Sequence, residues 1–186
     1  MGILEKVRSL FGLNQPATSE GSPAASATPL PQHERRQNKR VNARDETRVL
    51  IVDDSPTIIF ALKRILQSAG YITFEALDTE TGVNLARTEV PDLIFLDIIF
   101  PGANGFSALR TLRKDPITTD IPIIMISGNE QATELFFGSR IGADDFMKKP
   151  FSRYEVFARI ERLLDDNLVP RRVYFPANDS TVRSPK

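Results

Sequence analysis

The chain has 186 residues, 41% of them apolar and 26% charged, and its 24 basic and 24 acidic residues balance to a formal net charge of +0. That size and composition fit one globular domain with extra segments, and the balance supplies no global field for nucleic acid. The absence of cysteine excludes disulfides and thiolate metal sites and fits a cytoplasmic protein, and no apolar run reaches the roughly 18 residues that suggest a membrane span.

Residues 1–13 form an amphipathic helix candidate, with Ile3, Leu4, Val7, Leu10 and Phe11 at helical spacing and Glu5, Lys6 and Arg8 between them. The charges and the lack of a small-residue cleavage site argue against a secretory signal, and Lys6 breaks the myristoylation pattern. So short a helix is marginal alone in water. Two readings stand: it frays or packs on its own domain, or it docks on a partner or a membrane surface and recruits the chain to a membrane or cell pole. Residues 14–46 read as a disordered linker. They are rich in Ser, Ala, Thr and Pro at first, then polar and basic with Arg35, Arg36, Lys39, Arg40 and Arg44. The single histidine, His33, falls in this stretch and reads as a solvated loop residue.

From residue 47 to 167 strand-like and helix-like patterns alternate five times. A buried strand at 48–52 is followed by Ser55-Pro56, an N-cap with proline at the first helical position. Ile58, Ile59, Leu62, Ile65 and Leu66 make that helix's stripe, and Gly70 ends it. A second strand is expected at 71–76 and a second helix at 79–88, with Val83, Leu85 and Ala86 facing in. A third strand at 93–96 leads to a loop bracketed by Gly102 and Gly105, then a helix at 106–114. The fourth strand is expected at 121–126 with a helix at 130–140. The fifth is expected at 143–147 with a helix at 154–164 that turns Val156, Ile160, Leu163 and Leu164 inward. Residues 168–186 read as a flexible tail. Strands this apolar, separated by helices, predict an α/β fold: a doubly wound, five-stranded parallel sheet with five helices covering both faces.

Ligands of such sheets gather at the carboxyl ends of the strands. Charged residues gather there too. Asp53-Asp54 follows the first strand, Asp97 the third, and Lys149-Pro150 the fifth. Carboxylates with a lysine beside them suit a divalent cation and a phosphoryl group. Each piece also has an ordinary reading: an acidic helix cap for Asp53-Asp54, a plain loop for Ser127-Gly128, solvated charge for Lys148-Lys149, and core packing for Phe146.

Taken together, Asp53-Asp54, Asp97, Pro101-Gly102, Gly105, Ser127 and Lys149-Pro150, each at its own strand end or loop, resemble the receiver domain of two-component response regulators over residues 48–164. The resemblance implies a flavodoxin-like strand order 2-1-3-4-5. It implies that Asp97 is the phosphoacceptor, supplied by a histidine kinase or phosphotransfer protein. Mg2+ is the implied cofactor, held by Asp53, Asp54, Asp97 and the main-chain carbonyl of Ile99. The resemblance further implies that Lys149 and Ser127 contact the phosphoryl oxygens, that Ser127 and Phe146 form a switch, and that the bond before Pro150 is cis. Output then runs through the face of the fourth helix, fifth strand and fifth helix. The implied role is that of a signalling phosphoacceptor with slow self-dephosphorylation rather than an enzyme.

Two positions depart from the commoner pattern. Ile99 is bulky and apolar beside the path of an attacking water, so the phosphoryl lifetime is expected to depend on Ile99 and Asn129. Phe146 lacks a tyrosine hydroxyl. The short tail after Leu164 leads to the expectation of a receiver without an effector domain, which resembles chemotaxis and twitching-motility regulators. The Asp53-to-Thr57 opening and the loop from Asp97 through Phe106 look most like the pilus-associated group, implying a motor, pilus or polarity protein as downstream partner and no nucleic acid. The alternatives are a phosphate sink, a non-phosphorylated scaffold, or an aspartyl-phosphate phosphohydrolase. The last wants an Asp-x-Asp pair that the adjacent Asp53-Asp54 does not supply.

Overall fold

A computed structural model of the chain describes residues 41–129 and 142–173. The expected helix at 1–13, the linker through residue 40, the helix at 130–140 and the tail beyond 173 lie outside the described residues.

The main sheet is built from β1 (Arg48–Val52), β2 (Ile72–Ala76), β3 (Leu93–Asp97), β6 (Ile123–Ser127) and β7 (Asp145–Lys148). Every pairing is parallel and the order is β2-β1-β3-β6-β7. This is the expected 2-1-3-4-5 arrangement, with two short strands interposed in the numbering. Those strands, β4 (Ile99–Phe100) and β5 (Ala103–Asn104), pair antiparallel in a small ribbon that the sequence did not foreshadow. Two-residue strands are too short to carry a period.

Side chains alternate across the sheet, and both faces are covered. Val49, Ile51, Leu93, Phe95, Ile124 and Ile126 pack in one core with Ile59, Leu62 and Leu66 of α1 (Pro56–Gln67) and Val156, Phe157 and Ile160 of α4 (Arg153–Glu161). Leu50, Val52, Ile94, Leu96, Ile123 and Met125 pack in the other with Ala86 of α2 (Thr79–Glu89) and Ala108, Leu109 and Leu112 of α3 (Gly105–Lys114). Burial on both faces is why these strands read as continuous apolar runs. In α2 the residues that turn to the sheet are Gly82 and Ala86, while Val83 and Leu85 are half-buried. Ala86 of the expected stripe is buried, and Gly82, which the stripe omitted, is buried with it because the helix approaches the strand closely: a Cβ at position 82 would stand 2.6 Å from Val52 Cγ1.

Strand ends shift for identifiable reasons. Asp97 belongs to β3 because it pairs with Ile126. The fourth main strand begins at Ile123 rather than Ile121, since Pro122 offers only its carbonyl, which accepts from Ile94 N–H at 3.0 Å. Helix α4 ends at Glu161, and Leu163 is buried from the turn beyond it.

Residues flanking the expected domain span also pack onto it. Ala43 N–H donates to the Tyr71 hydroxyl at 2.9 Å, and Arg44 N–H to the Leu168 carbonyl at 3.0 Å. Leu164 and Pro170 form a bridge, and residues 171–173 run to Asp144. That buried carboxylate gathers four donors. Val173 N–H at 2.9 Å and Arg172 Nε at 3.4 Å reach Oδ1, while Ile123 N–H and Arg113 Nη2, both at 2.8 Å, reach Oδ2. Burial pushes the Asp144 carboxyl above its ordinary value, against the pull of these donors. Removing it takes a buried carboxylate away from two guanidiniums and the acceptor away from two amides. The Asp144→Ala variant is expected to lose about 3 kcal/mol of unfolding free energy, seen as a lowered midpoint in urea denaturation; an unchanged midpoint contradicts the role of the hub.

Candidate functional site

The carboxyl ends of β1, β3, β6 and β7 deliver one side chain or pair each to the same edge. Asp53 follows β1, its N–H bonded to the Ala76 carbonyl at 3.1 Å. Its Oδ1 accepts from Ser55 N–H at 3.0 Å, which orients the carboxylate and opens helix α1. Ser55 sits at the N-cap as expected but makes no capping bond through its own hydroxyl. Asp97 closes β3, with Oδ1 accepting from Ile98 N–H at 2.8 Å. Asp53, Asp54 and Asp97 each place a carboxylate oxygen within 4.8 Å of the others. Asp53 and Asp97 are buried and Asp54 is exposed.

Lys149 crosses to this cluster from beyond β7. Its ammonium stands 2.7 Å from Asp53 Oδ2 and 3.0 Å from Asp97 Oδ2. The peptide that follows, Lys149-Pro150, is cis. Lys149 N–H donates to the Ser127 carbonyl at 2.8 Å, tying the ends of β6 and β7 together. Ser127 is fully buried, and its hydroxyl oxygen accepts from Asn129 N–H at 3.1 Å. Phe146 lies within β7, buried in the core on the α2–α3 side of the sheet. Ile99 is 47% exposed at the start of the β4–β5 ribbon. The structure thus assembles Asp53, Asp54, Asp97 and Lys149 in direct proximity. Ser127 joins them through the Lys149 backbone, and Phe146 stands back from the edge.

The electrostatics are those of an incompletely balanced site. Burial is the chief cause that raises the Asp97 carboxyl; the charge of Asp53 adds to it, while Lys149 and the Ile98 N–H oppose it. Burial alone would lower the Lys149 ammonium, but the contacts with Asp53 and Asp97 outweigh it and leave its pKa raised. The lysine is therefore held charged, yet one ammonium does not offset two buried carboxylates. Lys149 approaches Asp53 Oδ2 as an ion pair and bridges it to Asp97. Two buried carboxylates that share one ammonium, with a third carboxylate open to solvent, fit a hard divalent cation such as Mg2+, which takes oxygen ligands and keeps part of its water.

Gly105, read from the sequence as a loop bracket and as one of the residues that carry the receiver resemblance, is the first residue of α3 and lies against the Asp97 backbone, a close packing that the sequence did not announce. The sequence signal available was the Asn104-Gly105 pair: Asn104 caps α3 by accepting from Phe106 N–H at 2.9 Å.

The response regulator receiver domain family matches residues 49–161, more than half of the chain, and the chain belongs to that family. Protein PilH of Pseudomonas aeruginosa is 41% identical over 117 residues, which are 63% of this chain and 97% of PilH. The DNA-binding dual master transcriptional regulator RpaA of a Synechocystis species is 40% identical over 117 residues, 63% of this chain, but the match spans about half of that protein, 48%. Among solved structures, chemotaxis protein CheY4 of Vibrio cholerae matches with a TM-score of 0.59 at 28% identity, over 63% of this chain and 98% of that one. The receiver domain of a Pseudomonas aeruginosa sensor histidine kinase matches with a TM-score of 0.56 at 29% identity, over 62% of this chain and 94% of that one; it was solved with a magnesium ion coordinated in its active site cleft.

The raised Asp97 carboxyl has a consequence for stability. Its folded form binds a proton more tightly than the unfolded chain does, so its contribution is fully present below the unfolded value and is lost as pH rises through the folded one. The Asp97→Asn variant, neutral at every pH, is expected to be more stable than the wild type at neutral pH in metal-free buffer, and the advantage should shrink in acid. Paired thermal melts at the two pH values check this; a variant less stable at neutral pH contradicts it.

Proposed function

We propose that this domain takes a phosphoryl group from the phosphohistidine of a histidine kinase or phosphotransfer protein onto Asp97, with Mg2+ as cofactor. The observation that supports this most is the Asp53–Asp54–Asp97 cluster with one lysine shared between two of its members. An ionised Asp97 oxygen attacks phosphorus, the P–O bond forms as the P–N bond breaks, and the departing imidazole keeps the electron pair and takes up a proton. Asp53, Asp54, Asp97 and the Ile99 main-chain carbonyl are the residues that would hold Mg2+, whose chemistry when bound is to neutralise charge on the phosphoryl oxygens.

The rest belongs to the chain's own groups. The Lys149 ammonium, 3.0 Å from Asp97, turns to a phosphoryl oxygen once the acceptor is esterified. The Ser127 hydroxyl gives up its bond from Asn129 N–H and donates to another phosphoryl oxygen. Phe146, one residue beyond the start of β7, follows Ser127 and alters the output face to which β7 and α4 contribute. Local charge at the edge thereby biases a two-state packing element. Ile99 and Asn129 border the water's approach and help set the lifetime of the ester.

The twitching-motility resemblance of the site loops, together with the match to nearly the whole of PilH, supports a downstream partner in pilus or motility signalling. The proposed setting is the cytoplasm, with residues 1–13 recruiting the chain to a partner, membrane or pole. No helix among the described residues is long and apolar enough to cross a membrane.

The test is incubation of the full chain with acetyl phosphate and Mg2+, read by intact mass. One phosphoryl group is expected on the wild type and none on Asp97→Asn or after chelation of the metal. An unmodified wild type, or modification that persists in Asp97→Asn, refutes the proposal.

A further inference from the structure

Behind the acceptor, the start of α3 presses against the backbone that Asp97 occupies. Gly105 N–H donates to the Ile98 carbonyl at 2.8 Å, closing the loop of residues 98–105 on itself. A Cβ built at position 105 would lie 1.9 Å from the Asp97 carbonyl oxygen, and 2.9 Å from both the Asp97 carbonyl carbon and Ile98 Cα. These are main-chain atoms that cannot swing aside as a side-chain tip would. Gly70, Gly102 and Gly142 have positive φ and Gly105 is not among them, so what position 105 demands is space rather than a left-handed backbone.

The loop between is braced at several points. Ile99 pairs with Asn104 and Phe100 with Ala103. Asn104 caps α3 through Phe106 N–H, and Phe100 and Phe106 are both buried. From the opposite side β6 holds the same backbone: Asp97 pairs with Ile126, and Ile98 N–H donates to the Ile126 carbonyl at 3.0 Å. The Asp97–Ile98 peptide is therefore gripped between β6 and the first turn of α3.

We infer that Gly105 is a positioning residue for the Asp97 site. Its missing side chain lets α3 seat against the Asp97–Ile98 peptide, and that contact keeps the Asp97 carboxylate and the Ile99 main chain in register with Asp53 and Asp54. A side chain at 105 drives α3 and the peptide apart. A displacement of about 1 Å at a reacting centre costs about 100-fold in rate, and loss of support behind a metal ligand costs about 10- to 100-fold in affinity. The inference rests on the reading of this edge as a Mg2+-assisted phosphoacceptor.

The experiment is isothermal titration of Mg2+ into full-length wild type, Gly105→Ala and Leu112→Ala, at a temperature where circular dichroism shows each to be folded. Leu112 is buried on the same helix but lies at its far end, so its variant reports what general destabilisation of α3 does. Gly105→Ala is expected to bind Mg2+ about 10-fold more weakly or worse and to take phosphoryl from acetyl phosphate correspondingly slowly, while Leu112→Ala loses stability but keeps wild-type affinity. Wild-type affinity in Gly105→Ala overturns the inference, as does an equal loss in Leu112→Ala. Should Gly105→Ala fail to fold, Asn104→Ala loosens the same turn without a clash. Weakened Mg2+ binding there supports the clamp and unchanged binding overturns it. A wild type that binds no Mg2+ refutes the underlying reading, and the clamp with it, a result distinct from wild-type binding shared by all variants.

Discussion

One ammonium facing two buried carboxylates is the interaction on which the reactive edge depends. Asp53 and Asp97 come out of water at the ends of adjacent strands, and Lys149 is placed within 3.0 Å of both. Two negative charges at such range in a low-dielectric setting repel strongly, and a single cation offsets only part of that. Burial is the chief cause that raises the Asp97 carboxyl, with the Asp53 charge adding to it and Lys149 opposing it. This geometry suits an additional positive charge.

The fold makes such a site affordable. With both faces of a parallel sheet sealed by helices, the interiors of the central strands β1, β3 and β6 carry only apolar residues, and polar groups are driven to the edge where the strands end. The order β2-β1-β3-β6-β7 sets β1 beside β3 and β6 beside β7, so four consecutive turns converge. Each turn has its own anchor: the Asp53–Ser55 bond, the Gly105–Ile98 closure, the Ser127–Asn129 bond and the Lys149–Ser127 backbone bond. At the opposite end of the sheet Asp144 performs the reverse task. There a carboxylate is saturated with donors and fastens the last described residues to the domain.

Much of this was legible in the sequence because it is written in burial and in charge placement. Val49–Val52, Leu93–Leu96 and Ile123–Ile126 are unbroken apolar runs that end in a polar residue, and such runs define a buried strand and its terminus together. Less was legible where the determinant is distance rather than polarity. The close seating of α2 on β1 and of α3 on Asp97 appears in the chain only as two glycines, Gly82 and Gly105, which look like any loop or weak helix position. The Asp144 hub draws its donors from residues as far apart as Arg113 and Arg172, and no local pattern announces it. The two-residue ribbon around Gly102 is likewise below the length at which alternation can be read.

The account stands on the claim that the edge is held short of positive charge until a cation arrives. The direct measurement is a pH titration of the Asp97 carboxyl carbon by NMR in the full chain, without and with Mg2+. The Asp97 carboxyl is expected to titrate above its ordinary value in metal-free buffer and to fall clearly when Mg2+ is added. An Asp97 carboxyl that titrates at the ordinary value without metal, or that does not respond to Mg2+, would contradict it.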